Sequence, residues 1–533
     1  MKKYLFQISA AMLFLLAAAS AAYSQELCRE QAQTTEGPVL GAKNALYPAC
    51  EYKGIPYAAP PTGAMRWKAP SPPAKHAELL SALKFGPSCA QNESFTGGGK
   101  SDSLSEDCLS LNIFRPAKSG TFPVMFWIHG GGYTQGAGSY DIYDGAHLAG
   151  TRDVVVVTIN YRLGAFGFLA LPELANEDKN RSTGNYGILD TIAALAWVRD
   201  NIKSFGGDPN NVTIFGESAG GVSVCVLLAS KPAAGLFHHA IIESGACDLV
   251  STLDKGFESA KDLAAKVGCP EKDPLSCLRA KPANEILQTK IGAGGVHIDG
   301  YVLLAKPIDL IKKGEFNKAP VLVGSNKDEF NMMMLLMPGA MFASKKQVTK
   351  NVKDALGARA DEVLKLYSFA DYRKPIFLVG AVFADGFGSR AFSAAEELSS
   401  KTPVFWYRFD WQDERWGSTL GAFHGLELPL VFGTLDAKKS ALKLALTTKA
   451  KKSAAPLSEK MMSYWTNFAK TGDPNGSGLP AWPKYSAASR ERIYLKKETA
   501  AAALTTKELE RYQYFASVSM EELGWGDQNK KKK

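Results

Sequence analysis

The sequence predicts an α/β fold with a large, mostly parallel central sheet and helices on both of its faces. Short apolar runs bounded by turn residues are typical of buried strands, and they lie at 123–128, 153–159, 212–215 and 240–243, with later ones at 320–324 and 403–409. Helical stretches separate several of these runs, which favours right-handed crossovers between parallel strands. Ligands of such a sheet bind at the carboxyl ends of its strands, so the loops there are the first candidates for function.

The remaining segments follow in chain order. Proline and glycine are dense in residues 39–66, which predict edge strands and turns, and the polar stretch 91–107 predicts a loop. The clearest helix is predicted at 188–205, where apolar residues recur at helical spacing before a Gly-Gly-Asp-Pro stop. No linker or internal repeat divides the chain, so residues 25–533 are predicted to form one domain.

Residues 1–24 have the form of a secretory signal. Lys2 and Lys3 precede a short apolar stretch that ends in small residues, and cleavage after Ala21 or Ser24 fits this pattern. The stretch is short for a membrane span, and no later one approaches about 20 apolar residues. We therefore expect a secreted or periplasmic protein without a stable membrane anchor.

The formal net charge of +9 is concentrated at the chain ends. Removing Lys2 and Lys3 lowers it from +9 to +7, and removing the four lysines at 530–533 lowers it further to +3. The lysine-rich tail and the segment 438–452 are therefore interpreted as solvated surface. No basic patch with interleaved aromatic residues, phosphate-binding loop or zinc-ligand spacing is present, so nucleic acid and metal ions are not predicted partners.

Eight cysteines in an exported chain indicate disulfides. The pairs suggested by close spacing are Cys89 with Cys108 and Cys269 with Cys277, with Cys28 and Cys50 as a less closely indicated third. Cys225 and Cys247 fall in an apolar helix and just past a buried strand. They are predicted to be small core hydrophobes.

The stretch around Ser218 predicts a strand, a sharp turn and a helix. An apolar run at 212–215 precedes Gly-Glu-Ser-Ala-Gly, and a second apolar run at 221–229 follows. Glycine is needed at Gly216 and Gly220 because a side chain there would collide with the neighbouring strand or helix. This turn presents the Ser218 hydroxyl at the top of the sheet, as a nucleophile elbow does.

A serine nucleophile needs a histidine base and an acid that orients it. On such a sheet the chain order is serine, acid, histidine, and this order leaves His424, on a glycine-flanked loop after the strand at 403–409. The strand at 320–324 is followed by two adjacent carboxylates, Asp328 and Glu329. The residues alone do not choose between them.

Acyl transfer also requires hydrogen-bond donors for the developing oxyanion. The amide after the nucleophile belongs to Ala219. The run His-Gly-Gly-Gly-Tyr at 129–133 follows the strand at 123–128, and its glycines allow backbone N–H groups to approach a substrate closely.

The chain resembles the type-B carboxylesterases, the carboxylesterase and cholinesterase branch of the α/β-hydrolases. The resemblance covers nearly all of residues 25–533. The motifs that carry it are Gly-Ile-Pro-Tyr at 54–57, Glu-Asp-Cys-Leu-Ser-Leu-Asn at 106–112, the run at 129–133, Asn-Tyr-Arg-Leu-Gly-Ala-Phe-Gly-Phe at 160–168, Phe-Gly-Gly-Asp-Pro at 205–209, Gly-Glu-Ser-Ala-Gly-Gly at 216–221 and Phe-Ala-Lys-Thr-Gly-Asp-Pro at 468–474.

The resemblance implies a role for each matching position. Ser218 matches the nucleophile, Glu329 the acid and His424 the base, while Gly131, Gly132 and Ala219 match the oxyanion donors. Glu217 and Ser244 match positions that support the histidine, and the family's disulfides match Cys89 with Cys108 and Cys269 with Cys277. Cholinesterases carry a tryptophan in the first disulfide loop that stacks on a quaternary ammonium; residues 91–107 offer only Phe95.

The predicted function is hydrolysis of small to medium hydrophobic carboxylic esters through an acyl-enzyme, with a small-molecule ester as partner and no metal or organic cofactor required. Two alternatives remain open. One is a lipase acting on glycerides at an interface, and the other is a silent binding or adhesion member of the same fold. The sequence does not indicate whether the protein is a monomer or a dimer.

Overall fold

The computed structural model describes residues 27–92, 103–289, 295–519 and 522. The predicted signal sequence 1–24, Phe95 and the lysine tail 530–533 lie outside the described residues.

The central sheet has eleven strands within the described ranges. Its order is β18-β17-β16-β15-β12-β11-β9-β10-β8-β4-β3. The seven strands from β17 to β10 are parallel to one another, and the strands beyond them on each side are antiparallel. The predicted mostly parallel sheet is therefore confirmed. The strands are β1 (Ala32–Gln33), β2 (Pro38–Leu40), β3 (Ala42–Lys43), β4 (Ala49–Pro56), β5 (Leu80–Ser81), β6 (Ser88–Cys89), β7 (Leu104–Ser105), β8 (Ser110–Pro116), β9 (Phe122–Ile128), β10 (Val155–Ile159), β11 (Gly207–Glu217), β12 (His239–Glu243), β13 (Ser251–Thr252), β14 (His297–Ile298), β15 (Val321–Asn326), β16 (Val404–Phe409), β17 (Glu491–Leu495) and β18 (Ala500–Ala503).

Helices occupy most of the connections between these strands. They are α1 (Ala146–Arg152), α2 (Gly164–Phe168), α3 (Pro172–Glu177), α4 (Tyr186–Asn201), α5 (Ala219–Ala229), α6 (Leu253–Lys266), α7 (Pro274–Ala280), α8 (Ala283–Gln288), α9 (Pro307–Lys313), α10 (Asn331–Leu336), α11 (Lys345–Leu356), α12 (Ala360–Lys365), α13 (Ile376–Ser399), α14 (Gly417–Leu420), α15 (Leu428–Val431), α16 (Thr448–Thr471) and α17 (Thr506–Ala516).

Both faces of the sheet are packed against helices. Successive side chains of a strand point to opposite faces, and in β9 the alternation separates two cores. Val124, Phe126 and Ile128 belong to one core, which also contains the apolar residues of α4 and α5. Met125 and Trp127 belong to the other core, which contains those of α16. Because both faces are buried, the strands are continuous apolar runs rather than alternating ones.

The boundary between α4 and β11 differs from the predicted one. The helix ends at Asn201, and a 3₁₀ turn, Ile202–Phe205, follows it. Gly206 then takes a left-handed φ of 74°, which glycine adopts without strain. The residues predicted to stop the helix instead begin β11. Gly207 pairs with Phe122 of β9, and after a shift in register the pairing resumes at Val212.

Helix α13 is the described helix that is long and apolar enough to cross a membrane. In this fold, however, 78% of its apolar window is buried inside the protein, as in the core helix of a globular domain.

Four disulfides are present among the described residues. Cys89 pairs with Cys108, Cys269 with Cys277 and Cys28 with Cys50, as the spacing suggests. The interpretation of Cys225 and Cys247 as free core hydrophobes is wrong. Helix α5 packs on β12 and brings their Cα atoms to 5.1 Å, within bonding range, and the two residues form the fourth disulfide. Both residues are buried, as their apolar surroundings in the sequence predict.

Candidate active site

Ser218 lies on the turn between β11 and α5, as the sequence predicts. Its backbone has φ 56° and ψ −122°, an unusual conformation for a residue with a side chain. Its N–H donates to the carbonyl of Glu243 at 2.9 Å, and its carbonyl accepts from Val222 at 2.9 Å. These two bonds hold the strained turn between the strand and the helix.

Close packing around the turn explains why glycine is required at two of its positions, as the sequence indicates. A Cβ atom on Gly220 would lie 2.0 Å from the carbonyl oxygen of Ile128, and one on Gly216 would lie 2.6 Å from the carbonyl carbon of Gly220. Strand β9 and helix α5 approach the turn too closely for any side chain. The elbow therefore depends on glycine at both positions.

Glu329 and His424 are brought together from two different loops at the carboxyl end of the sheet. The Nδ1 atom of His424 lies 2.6 Å from Oε2 of Glu329, whose side chain is fully buried. The other oxygen, Oε1, accepts hydrogen bonds from the Ser244 hydroxyl at 2.6 Å and from the Asn326 N–H at 2.8 Å. Three donors thus fix the orientation of this carboxylate, and the carboxylate fixes the imidazole.

Asp328, the other candidate for the acid, contacts the backbone of the histidine loop instead of the His424 ring. Its carboxylate accepts the N–H of Ala422 at 3.0 Å, and its own N–H donates to the carbonyl of Ala422 at 3.0 Å. The two adjacent carboxylates therefore support the histidine loop differently. Glu329 contacts the His424 ring, and Asp328 holds the backbone two residues before it.

The other nitrogen of His424 faces the elbow. Nε2 lies 3.0 Å from Oε1 of Glu217, the residue directly before Ser218. Burial alone would lower the pKa of His424, but the nearby carboxylates of Glu217 and Glu329 outweigh burial and raise it from 6.5 to about 10. Burial, together with the charge of Glu329, raises the pKa of Glu217 to about 7 against the opposing effect of His424.

The glycine run at 129–133 lies directly against the elbow. A Cβ atom on Gly130 would be 3.1 Å from Cβ of Ser218 and 2.8 Å from Oε2 of Glu217. Gly131 and Gly132 have φ values of 102° and 62°, which turn the backbone in a way that favours glycine. No described residue accepts a hydrogen bond from the amides of Gly131, Gly132 or Ala219, so these donors are available to a ligand.

His129 supports this run, a function that the sequence did not indicate. The ring is fully buried, stacks on Tyr161 with centroids 4.4 Å apart, and has Nδ1 2.8 Å from the carbonyl oxygen of Gly130. Burial lowers its pKa to about 4, so it is neutral at neutral pH. The Tyr161 hydroxyl donates to the His129 carbonyl at 2.7 Å and completes the support.

Two further buried carboxylates lie behind the site and were also missed. Asn326 donates from Nδ2 to Oε2 of Glu427 and, at 2.9 Å, to the carbonyl of Phe423. Glu243 accepts the indole N–H of Trp465 at 2.9 Å, and burial raises the pKa of Glu243 to about 8. Burial also raises the pKa of Glu427 well above 4.5. Nothing in the sequence separates these residues from surface acids, because their burial depends on distant elements.

An aromatic cluster borders the histidine. The Phe387 ring meets the His424 ring edge to face with centroids 6.1 Å apart, and the Phe330 ring lies 5.8 Å from Phe387 and 5.9 Å from Phe383. These side chains belong to the turn before α10 and to α13. They give the site an apolar wall.

Comparison with known proteins identifies the family of the chain. The model of the carboxylesterase family matches residues 29–514. The para-nitrobenzyl esterase of Bacillus subtilis is 37% identical over 494 residues, covering 87% of this chain and 94% of the relative. The fumonisin B1 esterase of Sphingopyxis macrogoltabida is 36% identical over 476 residues, covering 85% of this chain and 84% of the relative.

Solved structures show the same similarity. A thermophilic para-nitrobenzyl esterase superposes with a TM-score of 0.79 at 35% identity, covering 91% of this chain and all of that one. A carboxylesterase of Geobacillus stearothermophilus superposes with a TM-score of 0.80 at 33% identity and the same coverage. The resemblance inferred from the motifs is therefore confirmed: the chain belongs to the type-B carboxylesterase family and is a carboxylic-ester hydrolase with the α/β-hydrolase fold.

Proposed function

We propose that the protein hydrolyses esters with a Ser218, Glu329 and His424 triad. The observation that carries this proposal is the contact between the buried Glu329 carboxylate and the half-buried His424, whose imidazole is held at Nδ1 and presents Nε2 to the elbow. His424 takes the Ser218 proton at Nε2 while the hydroxyl oxygen attacks the ester carbonyl. Glu329 keeps the proton on Nδ1 and stabilises the imidazolium that forms.

The oxyanion of the tetrahedral intermediate accepts hydrogen bonds from the amides of Gly131, Gly132 and Ala219. Unpaired donors placed before the reaction stabilise developing charge without reorganisation. His424 then gives its proton to the leaving alcohol, and an acyl group remains on Ser218. Water, activated by the same imidazole, attacks the acyl-serine and releases the acid. These steps need no metal or organic cofactor.

The apolar wall of Phe330, Phe383 and Phe387 supports a preference for small to medium hydrophobic acyl or alcohol groups. Ring faces beside the histidine favour apolar surface over charge. A neutral ester such as p-nitrophenyl butyrate suits this environment.

The decisive experiment compares initial rates on p-nitrophenyl butyrate for the wild-type protein and Ser218→Ala. We expect kcat to fall by about 10⁴-fold, because the nucleophile is lost while binding and the oxyanion donors remain. Ser458→Ala is the matched control: this buried serine donates to the carbonyl of Leu430 at 2.9 Å, and the rate of the variant should stay near that of wild type. Equal rates for wild type and Ser218→Ala would reject the proposed nucleophile.

We further propose that residues 1–24 direct export and are removed. The four disulfides support an oxidising compartment outside the cytosol, although they do not identify the signal itself. Mass spectrometry of the exported protein should show a chain that begins at Ala22 or Gln25. An intact Met1 in the exported protein would contradict this proposal.

A further inference from the structure

The loops that carry the acid and the base also form an exposed apolar surface. Its members lie on α10 or directly after it, on the following 3₁₀ turn and just before α14, and we call them together the rim surface. They are Met333, Leu336, Met337, Phe342 and Trp416, with exposed fractions of 46%, 58%, 52%, 91% and 40%. Side chains of this size are rarely left so exposed in one region unless it makes contacts.

Contacts between the segments place the members of the rim surface in one region. Helix α10 packs against α14 and against the 3₁₀ turn Ala340–Phe342. Arg373 donates to the carbonyl of Ser418 at 3.1 Å, two residues after Trp416. Lys374 donates to the carbonyl of Met341 at 3.3 Å and lies over the Phe342 ring at 5.9 Å. The segment 373–374 therefore contacts both the turn that carries Phe342 and the helix that follows Trp416.

Positive charge surrounds these apolar side chains. Lys345, Arg373, Lys374 and Arg415 lie beside them, and none makes an ion pair with another described residue. Lys345 follows Phe342 by three residues, and Arg415 lies over the Trp416 ring at 5.3 Å. The cations therefore keep their charge available for an external partner.

The nearby carboxylates are ion-paired, hydrogen-bonded or buried. Asp371 pairs with Lys507 at 2.5 Å, and Asp413 accepts the Ser453 hydroxyl at 2.5 Å. Asp328 accepts the N–H of Ala422, and Glu414 is buried, with its pKa raised by burial to about 7. Hydrogen bonds from the neutral Ser453 and Ala422 groups leave Asp413 and Asp328 charged. The four unpaired cations outnumber these two carboxylates, so the rim surface presents apolar groups and net positive charge together.

We propose that the rim surface docks the enzyme on an anionic lipid bilayer. Trp416, Phe342 and the methionine and leucine side chains enter the boundary between headgroups and acyl chains, while Lys345, Arg373, Lys374 and Arg415 contact lipid phosphates. Helix α10 begins two residues after Glu329, and Trp416 lies eight residues before His424. Docking there would hold the loops of the site at the bilayer, where amphiphilic esters concentrate.

The test measures co-sedimentation of the exported protein with vesicles of phosphatidylcholine alone or mixed with phosphatidylglycerol. We expect binding only to the mixed vesicles, with a bound fraction that falls as salt rises. Two variants weaken the surface differently: Phe342→Ser removes apolar area, and Lys345→Glu with Arg373→Glu reverses charge. The charge reversal should weaken partitioning by at least about tenfold.

Matched controls lie at the opposite end of the sheet. Leu46→Ser changes an apolar residue that is 84% exposed, and Lys484→Glu changes an exposed lysine close to the amino end of β16. Both should bind like wild type. All variants retain the lysines at 530–533, so any contribution of that tail to binding is constant.

Rates on soluble p-nitrophenyl butyrate should be unchanged in every variant, since none of these residues belongs to the proposed catalytic machinery. The docking result is thereby independent of the proposed triad. Binding that is absent, equal on neutral and anionic vesicles, or insensitive to both rim variants would overturn the proposal. A concentration-dependent dimer that is lost in both rim variants would also overturn it, because a second copy would then cover the surface.

Discussion

The Glu217 carboxylate lies 3.0 Å from Nε2 of His424, the nitrogen that accepts the serine proton in the proposed mechanism. Its negative charge favours imidazolium, and only neutral imidazole can act as a base. With its pKa raised to about 10, His424 holds its proton to a higher pH than an exposed histidine does. Protonation of Glu217 itself, whose pKa is raised to about 7, relieves part of this effect.

Glu217→Gln removes the charge but keeps the shape, so we expect the acid limb of the kcat/KM profile to move to lower pH by at least about one unit. The measurement is the pH dependence of p-nitrophenyl butyrate hydrolysis. Glu510→Gln, on an exposed carboxylate, serves as the control and should not move the profile. An unchanged acid limb in Glu217→Gln would show that this carboxylate does not set the protonation of His424.

Asn326 links the acid, the histidine loop and Glu427 through its backbone and side-chain amides. Asn326→Leu keeps the size but removes both side-chain donors, so His424 should lose its alignment with the elbow. We expect kcat to fall by about tenfold or more with little change in KM, because small displacements of a base are costly.

Asn317→Leu provides the matched control for this change. Asn317 also donates to two backbone carbonyls, those of Leu227 and Ser230, but at the far end of α5. The Asn317→Leu variant should lose about as much unfolding free energy as Asn326→Leu but keep the kcat of wild type. Equal effects of the two variants on kcat would mean that Asn326 acts only through general stability.

At the scale of elements, the elbow is held by the packing of α5 between β9 and β12. The Cys225 to Cys247 disulfide ties α5 to the segment after β12, across the strand that supplies Glu243 and leads to Ser244. This covalent link restrains the element that positions Ser218.

Removing it with Cys225→Ala and Cys247→Ala should lower the free energy of unfolding by about 3 kcal/mol, as expected for a loop of this length. Urea unfolding and the half-life of activity at elevated temperature measure the effect. The control is the pair Cys269→Ala and Cys277→Ala. The disulfide that it removes lies away from the elbow and joins cysteines separated by only 8 residues. A larger loss in the control pair would contradict this assignment.

For the whole molecule, the two cores on either side of the sheet leave acidic groups buried between the sheet and α16. Glu243 has a pKa raised from 4.5 to about 8, so the folded protein holds a proton that the unfolded chain releases above about pH 4.5. The protonated Glu243 carboxyl therefore contributes its full stabilisation of the folded state below about pH 4.5. This stabilisation is lost as the pH rises from about 4.5 to 8.

Glu243→Gln retains an acceptor for Trp465 and cannot ionise. The unfolding free energy of the variant minus that of wild type should therefore increase by on the order of 2–4 kcal/mol as the pH rises from about 5 to about 9. Thermal unfolding across this range tests the sign, with Glu510→Gln again as the control. A difference from wild type that stays constant with pH would show that Glu243 is not held protonated.

The sequence by itself determined the features that depend on neighbouring residues. Runs of apolar residues between turns predicted the parallel sheet. Two glycines flanking Ser218 predicted the elbow, because the residues that a tight turn requires are close to one another in the sequence. The glycine run at 129–133 was identified for the same reason. The family motifs then implied the choice of Glu329 over Asp328, which the residues alone left open.

Only the tertiary structure decided what depends on distant elements. The pairing of Cys225 with Cys247, the support of the glycine run by His129 and the burial of Glu243 and Glu427 all follow from how α5, α16 and the sheet pack together. An acid, a histidine or a cysteine has the same local pattern on a surface as in a core. Its partner and its burial are set by residues far away in the chain, and those exist as neighbours only after folding.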